Sequence, residues 1–262
     1  MSRSRTCSGT DQGREKFEYE RTTAIGDNED QATDFAIRII GFLGLASVVL
    51  SLWSATVRPA GTRLSFDTGI TPLIAVELAR SKADLEQFFG EPGSANRKLM
   101  AGRSPLPGLN FVTSWMIFLF GLLQLMPKLR PRMREARFWI FLLLFFTSYY
   151  ESHSLRRMAE AANASSVTDA MFATIRETCL TKWTALFADT MLCSLIFYRT
   201  PMMLQAGGAI LWVSSALGLV ATTFPNYQWL AGPAVLGLFA GVCGITVLFL
   251  LRPELFYADT HG

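Results

Sequence analysis

Glu151, Lys182, Asp189 and His153 are the residues of this chain whose types and positions suit chemistry. Each lies in or beside a long apolar stretch, where an ionisable side chain is costly unless paired or hydrated, so such residues are candidate sites by default. On a helix Lys182, Asp189 and Cys193, spaced by seven and then four, share one face. Asp189 stands ten residues from Arg199, or ~15 Å at helical rise, near the midplane of a bilayer. Glu151 stands fourteen residues from Arg137, or ~21 Å, in the outer half. Counting the same way from Arg199, Glu151 is level with Ala185, and Lys182 is within one turn of that level, which permits a Glu151–Lys182 ion pair. With Tyr149, Tyr150 and His153 beside Glu151, these side chains outline a polar pocket between two helices. In it Glu151 or Asp189 donates or accepts a proton, Lys182 is the charge partner and His153 a relay. Three readings stay open: an ion pair that locks two helices, a proton or transport path, and acid–base catalysis.

The elements that position these groups are apolar helices. FWIFLLLFFTSYY (Phe138–Tyr150) follows the basic run KLRPRMREAR (Lys128–Arg137), and an apolar segment bordered by cations reads as a membrane span with a cytoplasmic loop. The expected fold is an all-α polytopic transmembrane bundle of about six spans. They run at Phe35–Thr56, at Leu109–Met126, from Arg137 or Phe138 to about Glu151, in a segment ending at Tyr198, at Ala206–Phe224 and at Gly232–Leu251. Arg38 lies close enough to the first border to snorkel. Residues 1–34 are a polar tail of mixed charge expected to be disordered, 35–252 the transmembrane domain and 253–262 a short C-terminal tail. The tail composition argues against a cleaved signal peptide and against an acid-poor transit peptide. An even number of crossings puts both termini on one side, and the cations of 128–137, Arg199 and Arg252 make that side cytoplasmic.

Two outer segments follow. In 57–108, Pro72–Phe89 reads as an amphipathic helix with Thr71 as its cap and Gly90 as its stop. Ile74, Leu78, Leu85, Phe88 and Phe89 form its apolar arc, with Glu77, Arg80, Asp84 and Gln87 on a polar stripe. Its place is flat on the membrane surface or across the outer helix ends. Segment 153–181 reads as an extended helical hairpin whose tip, near Asn163, carries the glycosylation triplet Asn163-Ala164-Ser165. Further on, Ser214, Gly218 and Thr222 recur every four residues, and Gly237 and Gly241 form a GxxxG followed by Gly244, so the last two helices should pack closely.

The net charge of +3 sits at span borders and reads as topology rather than as a nucleic-acid surface. Four unpaired cysteines give no disulfide framework or zinc site, and the chain lacks HExxH, CxxC, G-x-S-x-G, P-loop and G-x-G-x-x-G motifs and any close acidic cluster, so no metal or cofactor is expected.

The segments VELARS (Val76–Ser81), YYESH (Tyr149–His153) and TKW (Thr181–Trp183) resemble an uncharacterised family of small multi-pass membrane proteins. That family has an F-E-L-A-like segment in the first outer loop, an acidic residue followed by Asn near the end of a later span, and a Lys-aromatic pair opening the next. Here Val76 replaces the Phe and Ser152 the Asn. The resemblance implies no activity, and it groups Glu77, Glu151 and Lys182 in one architecture. The expected partners are the lipid bilayer and a lipophilic small molecule or a membrane protein. The competing expectations are a membrane-embedded isomerase or cyclase that uses Asp189 and Glu151 as acid and base, and a proton-coupled carrier.

Overall fold

The computed structural model describes residues 33–50, 77, 79, 81–89, 93–94, 97–98, 113, 115–122, 131–161 and 168–256. Among these every regular element is helical: α1 (Thr33–Leu50), α2 (Lys82–Phe89), α3 (115–122), α4 (Pro131–Ala161), α5 (Asp169–Ser194), α6 (Met202–Thr223) and α7 (Ala231–Leu251), with short 3₁₀ turns at Leu195–Arg199, Pro225–Leu230 and Pro253–Phe256. The N-terminal tail, the C-terminal residues from 257 and Asn163 lie outside the described residues.

Four stretches are long and apolar enough to cross a bilayer: Thr33–Leu50, Asp169–Tyr198, Met202–Thr223 and Pro225–Leu251. The chain is therefore read as a membrane protein. Of the six expected spans, the second, at Leu109–Met126, is described only in part, as α3. The third corresponds to α4, which is 31 residues long but falls outside the four. Its apolar run, Phe138–Tyr150, is shorter than the ~20 residues a hydrocarbon core requires, and it continues into Glu151, His153, Arg156 and Arg157. Surface chemistry agrees with a lipid environment, because Phe42, Phe146, Met202, Leu236 and Leu251 point outward. So many exposed apolar side chains would be a liability in water.

Local chemistry sets the helix borders. Thr168 caps α5, its hydroxyl accepting from the Met171 N–H at 3.2 Å, with Asp169 in the first turn. Pro131 opens α4, where a missing N–H does no harm. Within the helices the hydroxyls of Ser47, Thr147, Thr178 and Thr190 donate to carbonyls four residues back, so that each polar group is satisfied inside its own helix.

The core links all the long helices: Ile37 and Val48 of α1, Leu144 of α4, Trp183 and Phe187 of α5, Leu211 of α6, and Leu238, Val242 and Ile245 of α7 belong to one buried cluster. The close approach expected between α6 and α7 is present, though the small residues divide differently from the sequence expectation. A Cβ on Gly237 would lie 2.0 Å from Ser214 Oγ, and one on Gly241 2.7 Å from Leu211, both across the α6–α7 contact. Gly218 and Thr222 instead face α5: a Cβ on Gly218 would meet the Phe187 ring at 2.3 Å, and Thr184 and Thr222 share a hydrogen bond of 3.1 Å. A step of four residues turns ~400°, so a stripe of this spacing curls around the helix and serves two neighbours. Gly244 borders open space.

Arg38 donates to the Leu250 carbonyl at 2.7 Å, so the start of α1 and the end of α7 meet at one end of the bundle. At the opposite end a second buried cluster gathers Ala79, Leu85 and Phe89 of the outer segment with Leu155 and Met158 of α4 and Ile175 and Cys179 of α5. The outer helix thus packs across helix ends, one of its two expected placements, but it is interrupted between Glu77, which is helical, and Lys82. Ala79 is not helical and Ser81 is a bend. Ser81 and Asp84 form a reciprocal cap: the Ser81 N–H donates to Asp84 Oδ2 at 2.9 Å and the Asp84 N–H to Ser81 Oγ at 3.2 Å. This capping box fixes the start at Lys82.

Candidate functional site

The site lies where the outer segment meets α4 and α5, and it is built around Lys182. On α5, Ile175, Cys179, Lys182, Trp183 and Leu186 are buried, so helical spacing brings Cys179 and Lys182 onto one line facing α4. On α4, Leu144, Ser148, Glu151, Leu155 and Met158 are the buried positions, and they recur at three and four residues. Leu155 and Met158 pack with Ile175 while Glu151 meets Cys179 and Lys182, so the two helices run antiparallel.

Lys182 Nζ lies 2.6 Å from Glu151 Oε2 and 2.8 Å from Glu77 Oε2. The second oxygen of Glu151 accepts from Cys179 Sγ at 3.1 Å. Trp183 Nε1 donates to Glu77 Oε2 at 2.7 Å, so that one oxygen receives both an ammonium and an indole N–H. Lys182 Nζ also stands 5.3 Å from the centre of the Trp183 ring. Glu77, Glu151 and Lys182 are each less than a tenth exposed, which shields the ion pairs from water and counterions and makes each of them depend on its partners.

Two carboxylates share one ammonium. With all three ionised the triad carries one excess negative charge in a low-dielectric setting, and the indole N–H and the thiol supply neutral hydrogen bonds that spread it. Ser148, one turn below Glu151, is a buried hydroxyl with no hydrogen-bond partner among the described residues.

The four expected site residues divide. Glu151 and Lys182 are in contact, as their levels along the helices indicate. Asp189 is completely buried on the same face of α5, but two turns deeper, ~10 Å along the axis from Lys182. His153 is exposed and stacks on Tyr149, with ring centres 6.5 Å apart and planes 3° apart. Two residues on a helix point roughly 200° apart, so His153 turns away from Glu151.

Reading the residues one by one missed three members. By periodicity Glu77 falls on the polar stripe of its helix, Cys179 is one of four unpaired thiols, and nothing local marks the Trp183 indole as a donor. Cys179 lies one turn from Lys182, a spacing that could have revealed it. For Glu77 no local signal exists, because its partner Trp183 is 106 positions away. Glu77 and Glu151 both meet Lys182. No family model, curated protein or solved structure matches the chain.

Proposed function

We propose that this membrane protein binds a lipid or other lipophilic molecule at the outer end of the α4–α5 pair, with the outer segment as the cover of the site. The observation that carries this reading is the convergence of Glu77, Glu151 and Lys182 from three separate elements onto one buried point. A buried ionic triad is an expensive way to join helices, because apolar packing of similar volume holds them at least as well. Charged groups beside the apolar cluster of Leu155, Met158 and Ile175 suit an amphiphile, whose head seeks the charges and whose body stays among apolar side chains. The site lies at the end of the bundle opposite the Arg38–Leu250 contact, and the cation distribution assigns that end to the outer side.

The test is the lipid content of the purified protein. Full-length protein extracted in mild detergent should carry an amphiphile near one-to-one, identified by mass spectrometry of the extracted lipids. Glu151→Gln, which keeps the side-chain shape, should lose most of it while the protein remains monodisperse. Equal lipid content in both proteins, matching that of an unrelated membrane protein from the same cells, would overturn the reading.

A second reading is favoured by the burial of Asp189 on the face of α5 that carries Lys182: an isomerase or cyclase of a hydrophobic metabolite, with Glu151 and Asp189 as acid and base. It requires that Asp189→Asn abolish conversion of the co-purified molecule and leave its binding intact. Flux of that molecule driven by a pH gradient in proteoliposomes would instead point to a carrier.

A further inference from the structure

Lys182 and Trp183 are consecutive, and both aim a donor at the same atom: Nζ at 2.8 Å and Nε1 at 2.7 Å from Glu77 Oε2. Both residues are buried. An ammonium and an indole N–H converging on one oxygen make a receptor for a carboxylate, with charge to attract it and a directed N–H to orient it. Glu151, bound to the same Nζ at 2.6 Å, holds the lysine in place.

The carboxylate in that receptor belongs to the outer segment rather than to α4 or α5. The same segment lays Ala79, Leu85 and Phe89 on an apolar floor of Leu155, Met158, Ile175 and Cys179. It therefore presents to the α4–α5 pair one carboxylate and, beside it, an apolar body. That is the chemistry of a long-chain carboxylic acid.

We propose that Glu77 is an internal stand-in for the head group of a lipophilic carboxylic acid. The ligand binds by displacing Glu77 from Lys182 and Trp183, and its chain takes the apolar floor covered by Leu85 and Phe89. This inference rests on the binding reading above and names the ligand class. Exchange of one carboxylate for another leaves the charge of the buried triad unchanged, so the swap adds no uncompensated charge. A neutral lipid in place of Glu77 would give Trp183 and Lys182 only an uncharged acceptor, weaker than the carboxylate it displaces, and an amine would bring a like charge against Lys182; both are disfavoured.

Binding of radiolabelled palmitic acid, hexadecanol and hexadecylamine to the full-length protein in detergent tests this. Wild-type protein should prefer palmitic acid to both analogues. Glu77→Ala removes a tethered competitor and should raise the affinity for palmitic acid about tenfold or more, since the receptor is then open in every molecule. The Glu151–Lys182 pair remains in that variant to hold the fold. Trp183→Phe keeps most of the packing and should weaken palmitic acid without changing hexadecanol. Unchanged or weaker palmitic acid binding by Glu77→Ala, or equal binding of the three probes, would overturn the carboxylate receptor and leave lipophile binding standing. Failure of all three probes together with lipid-free purified protein would overturn both.

Discussion

Removing the ammonium of Lys182 while keeping its aliphatic stem, as in Lys182→Met, leaves Glu77 and Glu151 facing each other in a buried setting with no cation between them. Breaking a buried ion pair from one side costs about 3–5 kcal/mol, so this variant should melt well below wild type by intrinsic-fluorescence unfolding in detergent, or fail to accumulate in the membrane. Adding Glu77→Gln and Glu151→Gln removes the stranded charges and should recover much of the loss. A triple variant no more stable than Lys182→Met would show that the lysine acts through packing rather than charge. The Glu151–Lys182 half of this cluster was legible in the chain, because both residues can be counted inward from basic borders along helices of fixed rise. The Glu77 half was not legible from periodicity. On a regular helix Glu77 belongs to the polar stripe, and only the break before Lys82 and the packing of Leu85 and Phe89 onto α4 and α5 turn it inward.

Secondary elements carry two further expectations. The Ser81–Asp84 capping box starts α2, and loss of a capping hydroxyl costs ~1 kcal/mol, so Ser81→Ala should loosen the outer segment before it affects the bundle. Limited proteolysis between residues 70 and 95 should accelerate while the melting temperature of the whole protein barely moves. An unchanged cleavage rate would mean that the apolar cluster alone holds the segment. Within the bundle, Gly218 faces the Phe187 ring and Gly244 faces open space. Gly218→Ala should therefore destabilise the protein, by about 1–3 kcal/mol as for other overpacked interiors, and Gly244→Ala should be neutral or slightly stabilising. Equal melting temperatures for the two variants would contradict the α5–α6 packing. From the chain alone both glycines look alike, members of small-residue stripes at helical spacing. The neighbour each one meets depends on the rotation of its helix, and that is set by all the packed faces together.

For the whole molecule, the contact of Arg38 with the Leu250 carbonyl fixes the start of α1 and the end of α7 at one end of the bundle. Accessibility tags placed before residue 33 and after residue 256 should be labelled from the same side, the cytoplasmic one on the expectation drawn from the cation distribution. The protein should stay with the membrane through alkaline carbonate washing; release into the wash, or labelling of the two tags from opposite sides, would overturn this arrangement. The sequence alone determined the solvent. Apolar runs of bilayer length bounded by cations leave a helical membrane protein as the reading, because in hydrocarbon each backbone N–H and C=O must be paired within its own segment. It also determined the helical levels at which Glu151 and Lys182 can meet. Only the tertiary structure decided that Glu77 completes the cluster, that His153 turns away from it and that Asp189 stays two turns deeper. Helical periodicity specifies angle and height along a single axis, whereas contact between elements a hundred residues apart depends on how the axes are rotated and docked, and that is settled by packing over the whole interior.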